Sequence, residues 1–146
     1  MFGIVSWLWI FLFMGAVSLG LFLGPLSARA KSRRGVAAAA LHPLTSVGLF
    51  YSLAVHMHRS LGGWPKVIGE AGFPPALVEH SHLAGSSFGA MLLAMIFVVP
   101  VALPLCAWVP QLRPGVRYVA LYGMLSLVAF GLMQLAPGPF LEWWWD

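Results

Sequence analysis

Residues 1–34 read MFGIVSWLWIFLFMGAVSLGLFLGPLSARAKSRR. No charged side chain precedes Arg29, and four basic ones, Arg29, Lys31, Arg33 and Arg34, then crowd together. In a helix, an uncharged run of about 25 residues at about 1.5 Å each covers a hydrocarbon core of roughly 30 Å. The opening run is therefore predicted to cross a membrane and to leave its arginines in the headgroups beyond. A signal peptide would carry its basic segment ahead of a shorter apolar run. Here the order is reversed, so Ala28-Arg29-Ala30 is not read as a cleavage site.

The rest of the chain repeats the pattern. Its 146 residues are 60% hydrophobic and 8% charged, against roughly 25% charged in a soluble domain. Too few polar residues remain to cover a water-facing surface. The formal charge of +4 does not signal nucleic acid, because the basic residues flank apolar runs and no nucleic-acid motif is present. Their expected partner is the lipid bilayer, including its anionic headgroups. Cys106 is the lone cysteine, which excludes an internal disulfide and any CxxC motif.

The fold class that follows is an all-α integral membrane protein with four transmembrane helices in a single domain, 1–146. The spans fall at about 2–26, 36–57, 80–107 and 118–136, with a loop over 59–79. Pro74-Pro75 suits a helix start, Pro100 and Pro104 should kink the third span, and Pro137-Gly138-Pro139 should stop the fourth. Lys and Arg collect in cytoplasmic loops. Arg29, Lys31, Arg33 and Arg34 follow span one, Arg113 and Arg117 follow span three, and only Arg59 and Lys66 follow span two. Both termini are accordingly expected on the outer, periplasmic side. Glu70, Glu79, Glu142 and Asp146 then all lie outside. Trp143, Trp144 and Trp145 are expected to anchor the chain at the interface, and the loop to lie on the membrane or fold over the bundle. Ala16, Gly20 and Gly24, and likewise Gly85 and Gly89, recur at intervals of four. They suggest ridges where helices approach closely, expected within the monomer. The absence of Asn and the wealth of Ala, Gly, Pro and Trp hint at a bacterial source, hence an inner-membrane location.

Five histidines stand out in so apolar a chain. His56 and His58 end span two, while His80 and His82 begin span three beside Glu79. All four share one side of the membrane by this topology. His56, His58, Glu79, His80 and His82 are thus candidate ligands for a transition metal such as zinc or copper. Residues two apart on a helix point about 200° away from each other, so each HxH pair offers one ligand to the bundle. His56, His80 and His82 are also candidates to hold a cofactor, namely haem. His42 and His56 are fourteen residues apart, about 21 Å along a helix, a spacing that resembles the helices of b-type cytochromes. A second such pair is missing, so that resemblance implies one haem at most. His42 also follows Ala38 at the spacing of pigment-binding helices. The plainer expectation is that interfacial histidines are amphipathic side chains satisfied by water, headgroups and one another.

Enzymatic chemistry has thin support. Ser86 and Ser87 lie one turn beyond His82, but only Glu79 is near enough in sequence to orient that histidine. No ionisable group except His42 lies deep in a span, which argues against a transporter. The functional expectation is an accessory or structural subunit bound to other membrane-protein subunits. A metal- or haem-binding protein is the first alternative and a lipid-modifying enzyme using Glu79 the second.

Overall fold

The structure is a computed structural model that describes residues 9, 12–20, 32–65 and 69–146. The described residues form helices and turns with no strand. Helix α1 is Arg33–Ser60 and α2 is Pro75–Leu93. A π-helical turn, Ala94–Val98, joins α2 to α3, Val99–Trp108. A 3₁₀ turn at Pro110–Leu112 leads into α4, Arg113–Met133, and α5 is Gly138–Trp145. Three helical stretches are long and apolar enough to cross a membrane: Arg33–Ser60, Pro75–Trp108 and Pro110–Met133. That is what an integral membrane protein requires. The expected first span falls largely outside the described residues; of it, residues 12–20 are helical.

Each helix begins where local chemistry favours it. Ser32 caps α1 by accepting the Gly35 N–H on its side chain, which meets one of the donors a helix start leaves open. Pro75 occupies the first turn of α2 and a proline also opens α4, positions where a missing N–H costs nothing. The helices therefore start ahead of the expected 80 and 118. At the other end of α1, the Leu61 N–H bonds to the Met57 carbonyl and Gly62 follows at φ +66°. That left-handed conformation stops the helix.

The π-helical turn has two causes that agree. Pro100 has no N–H and its ring crowds the preceding turn, so the ladder loosens ahead of it. Val99 N–H accordingly reaches back five residues to the Ala94 carbonyl. The inward face also changes phase there. Leu77, Ser81, Ala84, Phe88, Met91 and Met95 are buried at intervals of four and three. The next buried position is Val99, 1% exposed, while Val98 is 59% exposed. The wide turn absorbs that extra residue and keeps one face of a long helix on the core.

α1 packs against α2 and α4, and α3 packs against α4. Ser32 N–H donates to the Tyr118 hydroxyl at 3.2 Å, so α1 and α4 begin at the same end and run parallel. Contacts from Ser46 to Ser87 and from His56 to His80 show α2 running the opposite way. Arg33, Arg34, Arg113 and Arg117 therefore share one end, and His56, His58, His80 and His82 share the other. The charge sorting of the sequence is thus a property of the folded bundle.

Two buried clusters fill the interior. At the histidine end, Phe50, Leu53, Met57, Leu77, Phe88, Met133 and Phe140 meet. At the arginine end, Met14, Met95, Val99, Leu103, Val116 and Ala120 meet. Residues 12–20 lie along α4: a Cβ on Gly15 would sit 2.5 Å from Leu127 Cδ2, and one on Gly123 would sit 2.3 Å from Ser18 Oγ. The pairing 15 with 127 and 18 with 123 makes this segment antiparallel to α4. Close approach falls at Gly15, Gly35 and Gly123, not on the expected ridges. Among the described residues, a Cβ on Gly20, Gly85 or Gly89 would meet nothing within 4 Å, so packing among those residues does not account for these glycines; Gly24 lies outside the described residues. Which face of a helix turns inward is set by its neighbours.

Helix α5 does more than anchor the chain. Phe140 is 0% exposed, and Phe50 meets Phe140 and Trp144 edge-on at centroid distances of 5.0 and 5.1 Å. Edge-to-face ring pairs add about 0.5–1.5 kcal/mol each beyond their buried area. The described part of the loop also folds over the bundle: Trp64 packs on Phe140 and Phe73 on Trp143. Lys66, Val67 and Ile68 lie outside the described residues.

Candidate functional site at the helix junctions

Polar side chains gather at two depths. The deeper group is centred on His42, half-buried on α1. Its Nε2 lies 3.2 Å from the Ser87 carbonyl on α2, and its Nδ1 lies 3.0 Å from the Tyr122 hydroxyl on α4. A carbonyl can only accept, so Nε2 carries the proton. Nδ1 is then the acceptor, and Tyr122 O–H donates to it. One turn on, Ser46 Oγ and Ser87 Oγ are 2.8 Å apart. One imidazole thus ties three helices together, with both nitrogens engaged. That leaves it no lone pair to offer a haem or pigment while these bonds hold.

The second group lies at the histidine end. His56 Nδ1 and His80 Nδ1 are 3.0 Å apart, and Ser52 Oγ is 3.0 Å from His80 Nε2. Ser52 donates its single hydroxyl proton to the Leu49 carbonyl at 3.0 Å. It must then accept from His80 Nε2–H, which leaves His80 Nδ1 as acceptor and His56 Nδ1–H as donor. A directed chain results: His56 to His80 to Ser52 to the α1 backbone.

The remaining candidates go elsewhere. His82 Nε2 lies 3.3 Å from Glu70 Oε2, and Ser81 O–H donates to Glu70 Oε1. Glu70 sits in a turn closed by Phe73 N–H to its own carbonyl, with Gly72 at φ +83° in the third position. Only a residue tolerant of positive φ fits there. His58 packs edge-on against Trp64 at 4.7 Å, and Glu79 is exposed.

Of the five proposed metal ligands, then, the structure brings together His56 and His80. It places His58, Glu79 and His82 apart from that pair. Among the described residues, no three His, Cys, Asp or Glu side chains are grouped to hold one ion. Of the haem candidates, His56 and His80 face each other while His82 pairs with Glu70. Ser87 is committed to Ser46 and not to His82, so no serine–histidine pair is assembled there.

Sequence reasoning missed Tyr122 and Glu70. Tyr122 carried a usable signal: it lies nine residues beyond Arg113, as His42 lies nine beyond Arg33. Parallel helices that start at the same headgroup level put those two side chains at one depth. Glu70 carried none, because its reach depends on the course of an irregular loop. No protein family, curated protein or solved structure matches this chain.

Proposed function

We propose that this chain is a four-span protein of a bacterial inner membrane that serves as an accessory subunit, packing against other membrane proteins. In this reading residues 2–26 form the first span, the arginine end faces the cytoplasm, and both termini lie outside. The antiparallel docking of residues 12–20 on α4 supports a fourth helix in that position. The positive-inside rule supports the orientation.

One observation carries the functional reading. His42, His56, His80 and His82 are each bound to another group of the chain. Meanwhile an apolar stripe through Ala90, Leu93, Phe97 and Val101, running from α2 through the π-helical turn to α3, is exposed among the described residues. Beside it, Gly89 leaves room for a neighbouring backbone, the feature that lets membrane helices pack closely.

A photo-crosslinking residue at Ala90 or Phe97, activated in native membranes, is expected to yield one adduct of discrete protein mass. Lipid adducts alone would overturn the accessory reading. Reporter fusions within residues 29–34 should report cytoplasm.

A second reading draws on the facing Nδ1 atoms of His56 and His80. With the His56 proton moved to Nε2 they would offer two nitrogens to one point, half of what zinc commonly takes, so a partner subunit would complete the site. Metal analysis and an absorption spectrum of the natively purified complex test it. A stoichiometric metal or a Soret band lost with His80→Ala supports it, and absence of both removes it.

A further inference from the structure

At the histidine end, the α5 indoles pack against Phe88 of α2 and line an open cavity of about 360 Å³. That volume lies within the roughly 300–1,000 Å³ of small-molecule pockets. Its walls are Phe88, Trp143, Trp144 and Trp145, with Gly85 as floor and Asp146 at the rim.

The rings are held, not loose. Trp143 Nε1–H donates to the Gly69 carbonyl at 3.0 Å. Trp144 and Trp145 both stand at 71° to Phe88, with centroids 5.8 and 5.6 Å away. Aromatic planes tilted against each other bound the space on several sides. Gly85 keeps it open, since among the described residues a Cβ there would meet no atom within 4 Å.

The electrostatics specify the occupant. Aromatic faces are negative and attract cations, and among the described residues lining the cavity Asp146 is the one ionisable group. A sodium or simple ammonium ion surrenders strongly bound water to enter such a site. A quaternary ammonium is large, weakly hydrated and apolar at its rim, so it loses little and fills the space. We propose that this cavity binds a quaternary ammonium group, either the choline-type headgroup of a membrane lipid or a free soluble cation of the same class.

The test is isothermal titration with tetramethylammonium chloride. The full chain is held in nanodiscs of purely anionic phosphatidylglycerol, with sodium chloride as the ionic control. Saturable binding of tetramethylammonium but not sodium is expected. Asp146→Asn and Trp145→Ala should each weaken it by about tenfold. Gly85→Leu should abolish it by filling the cavity, while circular dichroism shows the helices unchanged. Binding indistinguishable from sodium, or binding that survives Gly85→Leu in the folded variant, overturns the proposal. Adding phosphatidylcholine to the nanodisc separates the sources. Competition with tetramethylammonium identifies the lipid headgroup, and an unchanged affinity identifies the soluble cation.

Discussion

Replacing His42 by Ala removes the side chain that joins α1, α2 and α4 midway along the bundle. Two interhelical hydrogen bonds are lost, at 3.0 Å to Tyr122 and 3.2 Å to Ser87. Such bonds between membrane helices average about 0.6 kcal/mol and reach about 1.7 kcal/mol. Together they give about 1–3 kcal/mol, since the Tyr122 hydroxyl is also left without its acceptor. Tyr122→Phe removes one bond and leaves the His42 Nδ1 acceptor without its donor, so it should cost about 0.5–2 kcal/mol. The double variant should cost less than the two singles added, because both delete the same contact. Equilibrium unfolding in mixed micelles of increasing dodecyl sulfate fraction, followed by tryptophan fluorescence, measures all three. A His42→Ala protein within about 0.5 kcal/mol of the parent, or full additivity with Tyr122→Phe, would refute the assigned junction.

Breaking the ring pair should loosen the histidine end. His56 Nδ1 and His80 Nδ1 lie 3.0 Å apart, so His80→Ala should cost about 0.5–2 kcal/mol in the unfolding titrations above. Gly123→Ala should push residues 12–20 off α4, since the new Cβ would sit 2.3 Å from Ser18 Oγ. A cysteine pair placed one turn away from that contact should crosslink in the otherwise unchanged chain and lose yield in the variant. Gly89→Ala, with open space at its Cβ, should leave stability of the isolated chain within about 0.5 kcal/mol of the parent in the same micelle assay. Gly35→Ala should destabilise it by about 1–3 kcal/mol, because its Cβ would overlap the Tyr118 ring at 2.5 Å.

The architecture was legible wherever one residue's physics decides the outcome. Pro75 starts a helix for a reason a single side chain carries, whereas the start at Arg113 went unread because the span was placed by its apolar run, from 118. Long uncharged runs lie between arginines because lipid admits nothing else. Pro100 announced a disturbance but not its form, since the phase shift between Val98 and Val99 depends on which helix α3 packs against. The candidate site divides the same way. His56 and His80 end and begin successive antiparallel helices, so sequence alone brought them together. His82 was expected beside them, but from α2 its side chain reaches Glu70, in a loop whose path rests on Gly69, Gly72 and the Trp143 indole.

The π-helical turn also divides the molecule. Before it, the helix contributes Leu77, Phe88 and Met91 to the aromatic cluster; from it onward, Met95, Val99 and Leu103 enter the cluster that holds Met14. The protein is in effect two storeys sharing a staircase, with a weakened step where they meet. A partner or ligand that rearranges the indoles on the upper floor can therefore act there while the floor beside the arginines keeps its grip.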